Sequence, residues 1–233
     1  MRLLDEHWIA YPEFIAGPLA KLEQIKLRLV GKPTVRYLDT VMPRVDEAAA
    51  GALLKRVDVT AAHYVLAVPG GGTGHPGAES TPMIIAAAAG RLAARGVPTV
   101  FVGATSDPAQ ANQHENLRWV PRLPPAELSA LLRHARMVIS NGGDTLLQAV
   151  ACQLPCVAVA IAADQKRRIK RCVDAGLIRT AAPNAAEIES VSHALLADET
   201  AQAALKARAR DFPLVNGLDT ALDAIGALVA GRK

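Results

Sequence analysis

The sequence predicts a doubly wound parallel α/β sheet preceded by a shorter extension of different character. Three observations carry that. From Tyr64 onward, short apolar runs alternate with segments of helical spacing, the pattern of strand, helix, strand units in a parallel sheet. The chain is 51% apolar but only 3% aromatic, so its core must be aliphatic, as in strands buried on both faces. Glycine-rich turns follow two of the apolar runs, at Gly70-Gly71-Gly72 and at Asn141-Gly142-Gly143, and open parallel sheets bind ligands just beyond their strands.

Residues 1–60 form the extension. Gly17-Pro18, Gly31-Lys32-Pro33 and Met42-Pro43 punctuate it into short elements. Between them Leu19, Leu22, Ile25 and Leu29 recur at helical spacing, with Lys21, Glu23, Lys26 and Arg28 on the other side. Residues 34–42 read as a strand and 48–55 as a short helix.

Residues 61–233 read as one domain. A strand at 64–68 enters the glycine-rich loop, and a helix follows over 81–94. Strands are expected at 99–102, just after Pro98, and at 117–120, then a helix at 125–135. The next unit is the most informative. A strand at 137–140 runs into Asn141-Gly142-Gly143, a helix opens at Asp144-Thr145, and a second strand fills 155–162 with Asp164-Gln165 just past its end. The helix over 166–175 stops at Gly176, a residue suited to the left-handed turn that closes a helix. Helices at 185–196 and 201–210 follow. Leu214, Leu218, Leu222, Ile225 and Val229 mark a terminal amphipathic helix.

Composition excludes several classes. A formal charge of +4 and a pI near 9.1 suit anionic substrates or an anionic membrane surface but are too weak to indicate nucleic acid, and stacking aromatics are scarce. Three cysteines fit free thiols in a reducing compartment. Cys152 and Cys156 flank a Leu-Pro turn and read as small apolar residues, with no further ligands nearby for a four-ligand metal site. The N-terminus carries acidic residues where a signal peptide needs its apolar stretch, and no run approaches the ~20 apolar residues of a membrane span. The expected compartment is the cytoplasm.

Free amides at a helix start, beside glycines that admit a close ligand, suit a phosphate or diphosphate. Asn141, Gly142, Gly143 and Thr145 are the candidates there, with Asp144 as the cap. Gln148 lies one turn beyond Thr145 on the same face. The first loop, Gly70 to Gly77, does not match the dinucleotide fingerprint, for Pro76 and four further residues intervene before a helix and no ribose-binding acid follows at the right distance. It is either a ligand-facing loop or a surface turn. His75 within it is the candidate for a base or phosphate contact. The other histidines, at 7, 63, 114, 134 and 193, have no clustered partners. Asp164 and Gln165 follow a strand's carboxyl end, suiting ligand contact or a helix cap. Lys166, Arg167, Arg168, Lys170 and Arg171 form a basic run, either a solvated helix face or an attraction for anionic lipid.

The succession Gly-Gly-x-Thr, a polar residue at 148, a Leu-Pro turn, an apolar strand and Asp-Gln resembles the Rossmann-like donor half, the C-terminal half, of GT-B glycosyltransferases. The nearest branch includes the peptidoglycan N-acetylglucosaminyltransferase and plant-type UDP-sugar transferases. The likeness runs from about Tyr64 to the terminal helix and is sharpest over 138–176. It implies a nucleotide-sugar donor, UDP-linked in that branch, and no cofactor or metal. Gly70, Gly71, Gly72, Thr73 and Gly74 would lie beside the diphosphate, Arg122 and Leu123 beside the base, and Asp164 and Gln165 at the sugar hydroxyls. Gln148 departs from the Glu that usually grips the ribose. The leaving diphosphate would be stabilised by helix amides and side chains, and the general base would come from an acceptor domain.

Complete GT-B enzymes have two such domains and this chain has room for one. It is then either the C-terminal part of a longer protein or one completed by a partner subunit, as in two-subunit N-acetylglucosaminyltransferases. A peripheral contact with the inner membrane face would suit a lipid-linked acceptor. Two alternatives stay open: a nucleotide-sugar hydrolase like that of the pseudaminic acid pathway, and a non-catalytic nucleotide-sugar-binding module.

Overall fold

A computed structural model describes residues 5–70, 81–103 and 114–231. The chain divides into two compact units, Met1–Met42 with Leu214–Lys233, and Pro43–Pro213. This division differs from the expected 1–60 and 61–233, for residues 43–60 fall in the second unit and residues 214–233 in the first.

The first unit opens with β1 (Glu6–Ile9), α1 (Glu13–Ala16), α2 (Lys21–Val30) and β2 (Thr34–Tyr37). β1 and β2 pair in parallel from Glu6↔Thr34 to Ile9↔Tyr37. Arg36 grips Glu6 across the pair with Nε and Nη2 at 2.8 and 3.1 Å, and that ion pair holds the Glu6 carboxyl below its ordinary range. β2 stops short of the expected residue 42, since Asp39 turns to φ +47°.

The second unit begins with α3 (Glu47–Val57), whose start is capped by Asp46 accepting from the Ala49 amide at 2.8 Å. β3 (Val65–Val68), α4 (Thr81–Ala94), β4 (Thr99–Val102), β5 (Leu117–Val120), α5 (Pro125–Arg133) and β6 (Met137–Asn141) follow. Then come α6 (Asp144–Ala151), β7 (Cys156–Val159), α7 (Ala163–Asp174), β8 (Arg179–Ala181), α8 (Ala185–Ala197) and α9 (Glu199–Asp211). Six strands form one parallel sheet in the order β5-β4-β3-β6-β7-β8. This confirms the doubly wound α/β expectation. β8 lacks an apolar run, with Arg179 and Thr180 exposed, and so carries no strand pattern of its own.

The core is aliphatic throughout. β3, β4 and β7 are buried at every position. Val65, Ala67, Ile139 and Val159 pack with Ile85, Ala89 and Leu92 of α4 and with Ile188 and Leu195 of α8. The intervening strand residues, Leu66, Val138 and Ala158, point to the opposite face and are fully buried as well. Each such Leu or Val contributes about 1.5–3 kcal/mol relative to exposure. At the end of α7, Gly176 takes φ +72° while the Leu177 amide reaches Cys172 O at 3.0 Å, the expected glycine stop.

The first unit closes with α10 (Gly217–Ala230). Asn216 starts it by accepting from the Leu218 amide at 3.2 Å, and its Nδ2 donates to Met42 O at 2.8 Å. The helix is amphipathic as expected, yet Leu222, Ile225 and Val229 are exposed. α2 buries no residue at all, and its Leu22, Ile25 and Leu29 also face outward. No helix among the described residues is long and apolar enough to cross a membrane.

Candidate functional site

The strand order reverses between β3 and β6. Chain connections leave β3 toward β4 on one side and leave β6 toward β7 on the other, which makes the carboxyl ends of these two neighbours the switch point where open α/β sheets bind ligands. β3 and β6 are in register through Val68↔Ser140. The residues just beyond are Gly70 and Asn141, which the sequence singled out.

At this point backbone and side chains interlock. Gly70 sits at φ +105°, and a Cβ there would run into the Asn141 side-chain amide. Glycine is required on both counts, since positive φ strains any other residue. Asn141 ends β6 and folds its Oδ1 over the turn to accept from the Gly143 amide at 3.0 Å. A Cβ on Gly143 would lie 2.8 Å from that same Oδ1. A Cβ on Gly142 would lie 2.8 Å from Gln165 Cβ and 3.0 Å from Ile169. Glycine at 142 is therefore demanded by packing, in addition to any ligand, whereas a side chain at 143 would have to displace the Asn141 amide.

The helix start differs from expectation in a way that matters chemically. Gly143, not Asp144, is the N-cap of α6, with no side-chain cap bond. Asp144 is exposed in the first turn. The Gly142 amide is taken by Gln165 Oε1 at 3.3 Å, the Gly143 amide by Asn141, and the Leu146 amide by Gly143 O at 3.2 Å. Among the described residues, that leaves the amides of Asp144 and Thr145, with the Thr145 hydroxyl, to meet an anion. Two amides at the positive end of a helix dipole favour negative charge. Thr145 and Gln148 are both half-buried, one turn apart on one face.

α7 lines the other side of the turn. Gln165 is 5% exposed, and its Oε1 also accepts from the Ile161 amide at 3.0 Å. With Oε1 held by two main-chain groups, only its Nε2 would remain for a sugar hydroxyl. Asp164 stands exposed on the second residue of α7, whose N-cap is Ala162 without a side-chain bond, so the capping role considered for Asp164 is not taken.

Arg168 is the residue that sequence reasoning placed differently. Its side chain is 11% exposed, and its Nη1 donates to Gly142 O. Of the basic run, Lys166 and Arg167 are exposed, and Lys170 pairs with Asp174 at 2.7 Å. The signal for Arg168 was its spacing: residues 165, 168, 169 and 172 share the buried face of the helix. Arg122 is exposed and Leu123 half-buried in the segment between β5 and α5. Gly71, Gly72, Thr73, Gly74 and His75 lie outside the described residues.

Elsewhere in this unit a cavity of about 520 Å³ opens at the β5 edge, lined by Arg56, Arg118, Trp119 and Pro121 among others. Arg118 is paired with Asp58 at 2.6 Å and Arg56 with Glu127, so its cations are already matched. No group of three or more His, Cys, Asp or Glu suited to a metal ion occurs among the described residues.

No protein-family model matches this chain, and no curated protein matches it in sequence. Solved structures do match in shape. The calicheamicin glycosyltransferase CalG4 covers 97% of this chain with a TM-score of 0.61 at 20% identity. UGT2 of Phytolacca americana, solved with UDP-2-fluoro-glucose and pterostilbene, covers 90% with a TM-score of 0.58 at 16% identity. A candidate UDP-N-acetylglucosamine 2-epimerase from Listeria monocytogenes covers 84% with a TM-score of 0.57 at 16% identity. The chain has the Rossmann-like parallel α/β fold of one half of these GT-B proteins. It spans about half of these GT-B proteins, 52%, 48% and 54% of their lengths respectively.

Proposed function

We propose that this chain is the donor-binding part of a GT-B glycosyltransferase, taking a UDP-linked sugar at the carboxyl ends of β3 and β6. The observation that carries it is the turn at 141–145. It stands where the strand order reverses, its Gly142 is closed to a side chain, and two helix-start amides with the Thr145 hydroxyl are left for an anion. The diphosphate would sit on those amides, Gln148 at the ribose and Asp164 at the sugar. Amides and dipole would stabilise the leaving diphosphate without a cofactor or metal. The attacking hydroxyl and its general base would come from a second domain or a partner subunit, since the chain spans only half of its GT-B neighbours. The exposed Lys166 and Arg167 would suit an anionic membrane surface at a lipid-linked acceptor.

Calorimetric titration with UDP, GDP, TDP and ADP tests the donor class. Saturable binding of UDP in preference to the others is expected. No binding to any of the four would overturn the proposal. The isolated chain should transfer sugar slowly or not at all, while release of free sugar without an acceptor would point instead to a hydrolase. Gln148→Glu should tighten UDP binding several-fold, because a carboxylate accepts ribose hydroxyls more strongly than a neutral amide. An unchanged affinity would place residue 148 away from the ribose.

A further inference from the structure

We infer that Gln165 and Arg168 are positioning residues that clamp the Asn141-Gly142-Gly143 turn from α7, setting where the helix-start amides of α6 point. The inference rests on the donor-site proposal for its consequence but not for its geometry. Residue 142 is held at both of its polar groups. Its N–H is bound by Gln165 Oε1 at 3.3 Å and its carbonyl by Arg168 Nη1. Its Cα lies so close to α7 that an added Cβ would meet Gln165 Cβ and Ile169. Gln165 Oε1 also binds the Ile161 amide at 3.0 Å, in the segment that joins β7 to α7. One side chain thus ties the turn after β6 to the turn after β7, the two adjacent strands at the carboxyl edge.

Both side chains sit at low exposure, so their hydrogen bonds exchange little with water and hold geometry firmly. Arg168 also lies 4.0 Å from the Asp164 carboxylate one turn earlier on α7, so its charge is partly matched there and its main service to the turn is the bond to Gly142 O. Lysine would not replace the arginine, because a guanidinium carries its donors in a rigid planar fork. The role assigned to Gln165 differs from sugar contact in a measurable way. A positioning residue acts on the nucleotide diphosphate with or without the sugar, whereas a sugar contact acts only on the sugar-linked form.

The test compares the full chain with Gln165→Ala, Gln165→Glu and Arg168→Lys by two readouts. Amide hydrogen exchange should accelerate about tenfold at Gly142 and Ile161 in Gln165→Ala, the loss of one buried hydrogen bond of ordinary strength. The amides of β3 should be unchanged, and Gln165→Glu should restore protection because a carboxylate oxygen accepts the same two amides. In titrations, Gln165→Ala and Arg168→Lys should weaken UDP and UDP-glucose by the same factor, about three- to tenfold on the same scale. Unchanged exchange at Gly142 and Ile161, or a loss confined to UDP-glucose, would overturn the clamp. If the unaltered chain binds no UDP, the donor-site proposal fails and the exchange experiment alone decides the clamp.

Discussion

The two compact units spend the same kind of residue in opposite ways. In the sheet unit Leu66 is 0% exposed in a strand buried on both sides, whereas in the first unit Leu29 is 81% exposed on a helix that buries nothing. Both come from sequence segments with sound apolar periodicity. Periodicity says which residues share a face, and it does not say whether anything covers that face. The sheet unit carries its own aliphatic core and therefore its own stability. The first unit buries only a few apolar residues, Ile15, Leu38, Met42 and Ala224 among them, beside a two-stranded parallel pair and polar pins such as Asn216 on Met42.

Substitution should expose this difference most strongly in the core. Leu66→Ala is expected to cost about 2–5 kcal/mol, the range for emptying a filled core position, measured by denaturant unfolding. A cost below about 1 kcal/mol would mean that β3 is not at the centre of a close-packed sheet. Gly142→Ala comes next, at about 1–3 kcal/mol, the usual cost of forcing extra atoms into a packed site. Its signature is a larger loss of nucleotide affinity than of melting temperature.

Alkaline pH reports on the buried thiols of the sheet unit. Burial pushes the thiols of Cys156 and Cys172 from 9.0 to about 12 and raises the Tyr64 phenol as well. Between pH 9 and 12 the unfolded chain releases protons that the folded chain keeps. Stability is therefore fully present below pH 9 and falls as pH rises through that window. Replacing both cysteines by alanine should flatten this alkaline limb of the melting temperature, and an unchanged slope would show that the thiols do not contribute. Smallest of all, Leu29→Ala should change stability by less than about 0.5 kcal/mol, as at exposed positions generally. A cost near that of Leu66→Ala would show that the face is covered in solution.

The sheet unit was readable in advance because its strands are short apolar runs with glycine punctuation. β4 and β5 began and ended where the spacing placed them, while β6 gained only Asn141. β1 and α1 were missed, since Glu6–Ile9 and Glu13–Ala16 are only four residues each and carry too little periodicity to register. In the site, the residues to watch were readable but their tasks were not. Gly142 looked like room for a ligand, yet its missing side chain is equally required by Gln165 and Ile169. Arg168 sat within a run of like charges, and only the packing of α7 shows that it turns inward while Lys166 and Arg167 stay out. Charge runs and glycine turns state what is available. Direction comes from the face that a neighbouring element covers.

The most direct test of the central claim is an amide-resolved titration of the full chain with UDP. The account predicts saturable shifts concentrated at Asp144, Thr145 and Gln148, with little change at Leu29 and Leu222 in the other unit. Saturation at the β5 edge around Arg118 and Trp119, or no saturable shift anywhere, would contradict it.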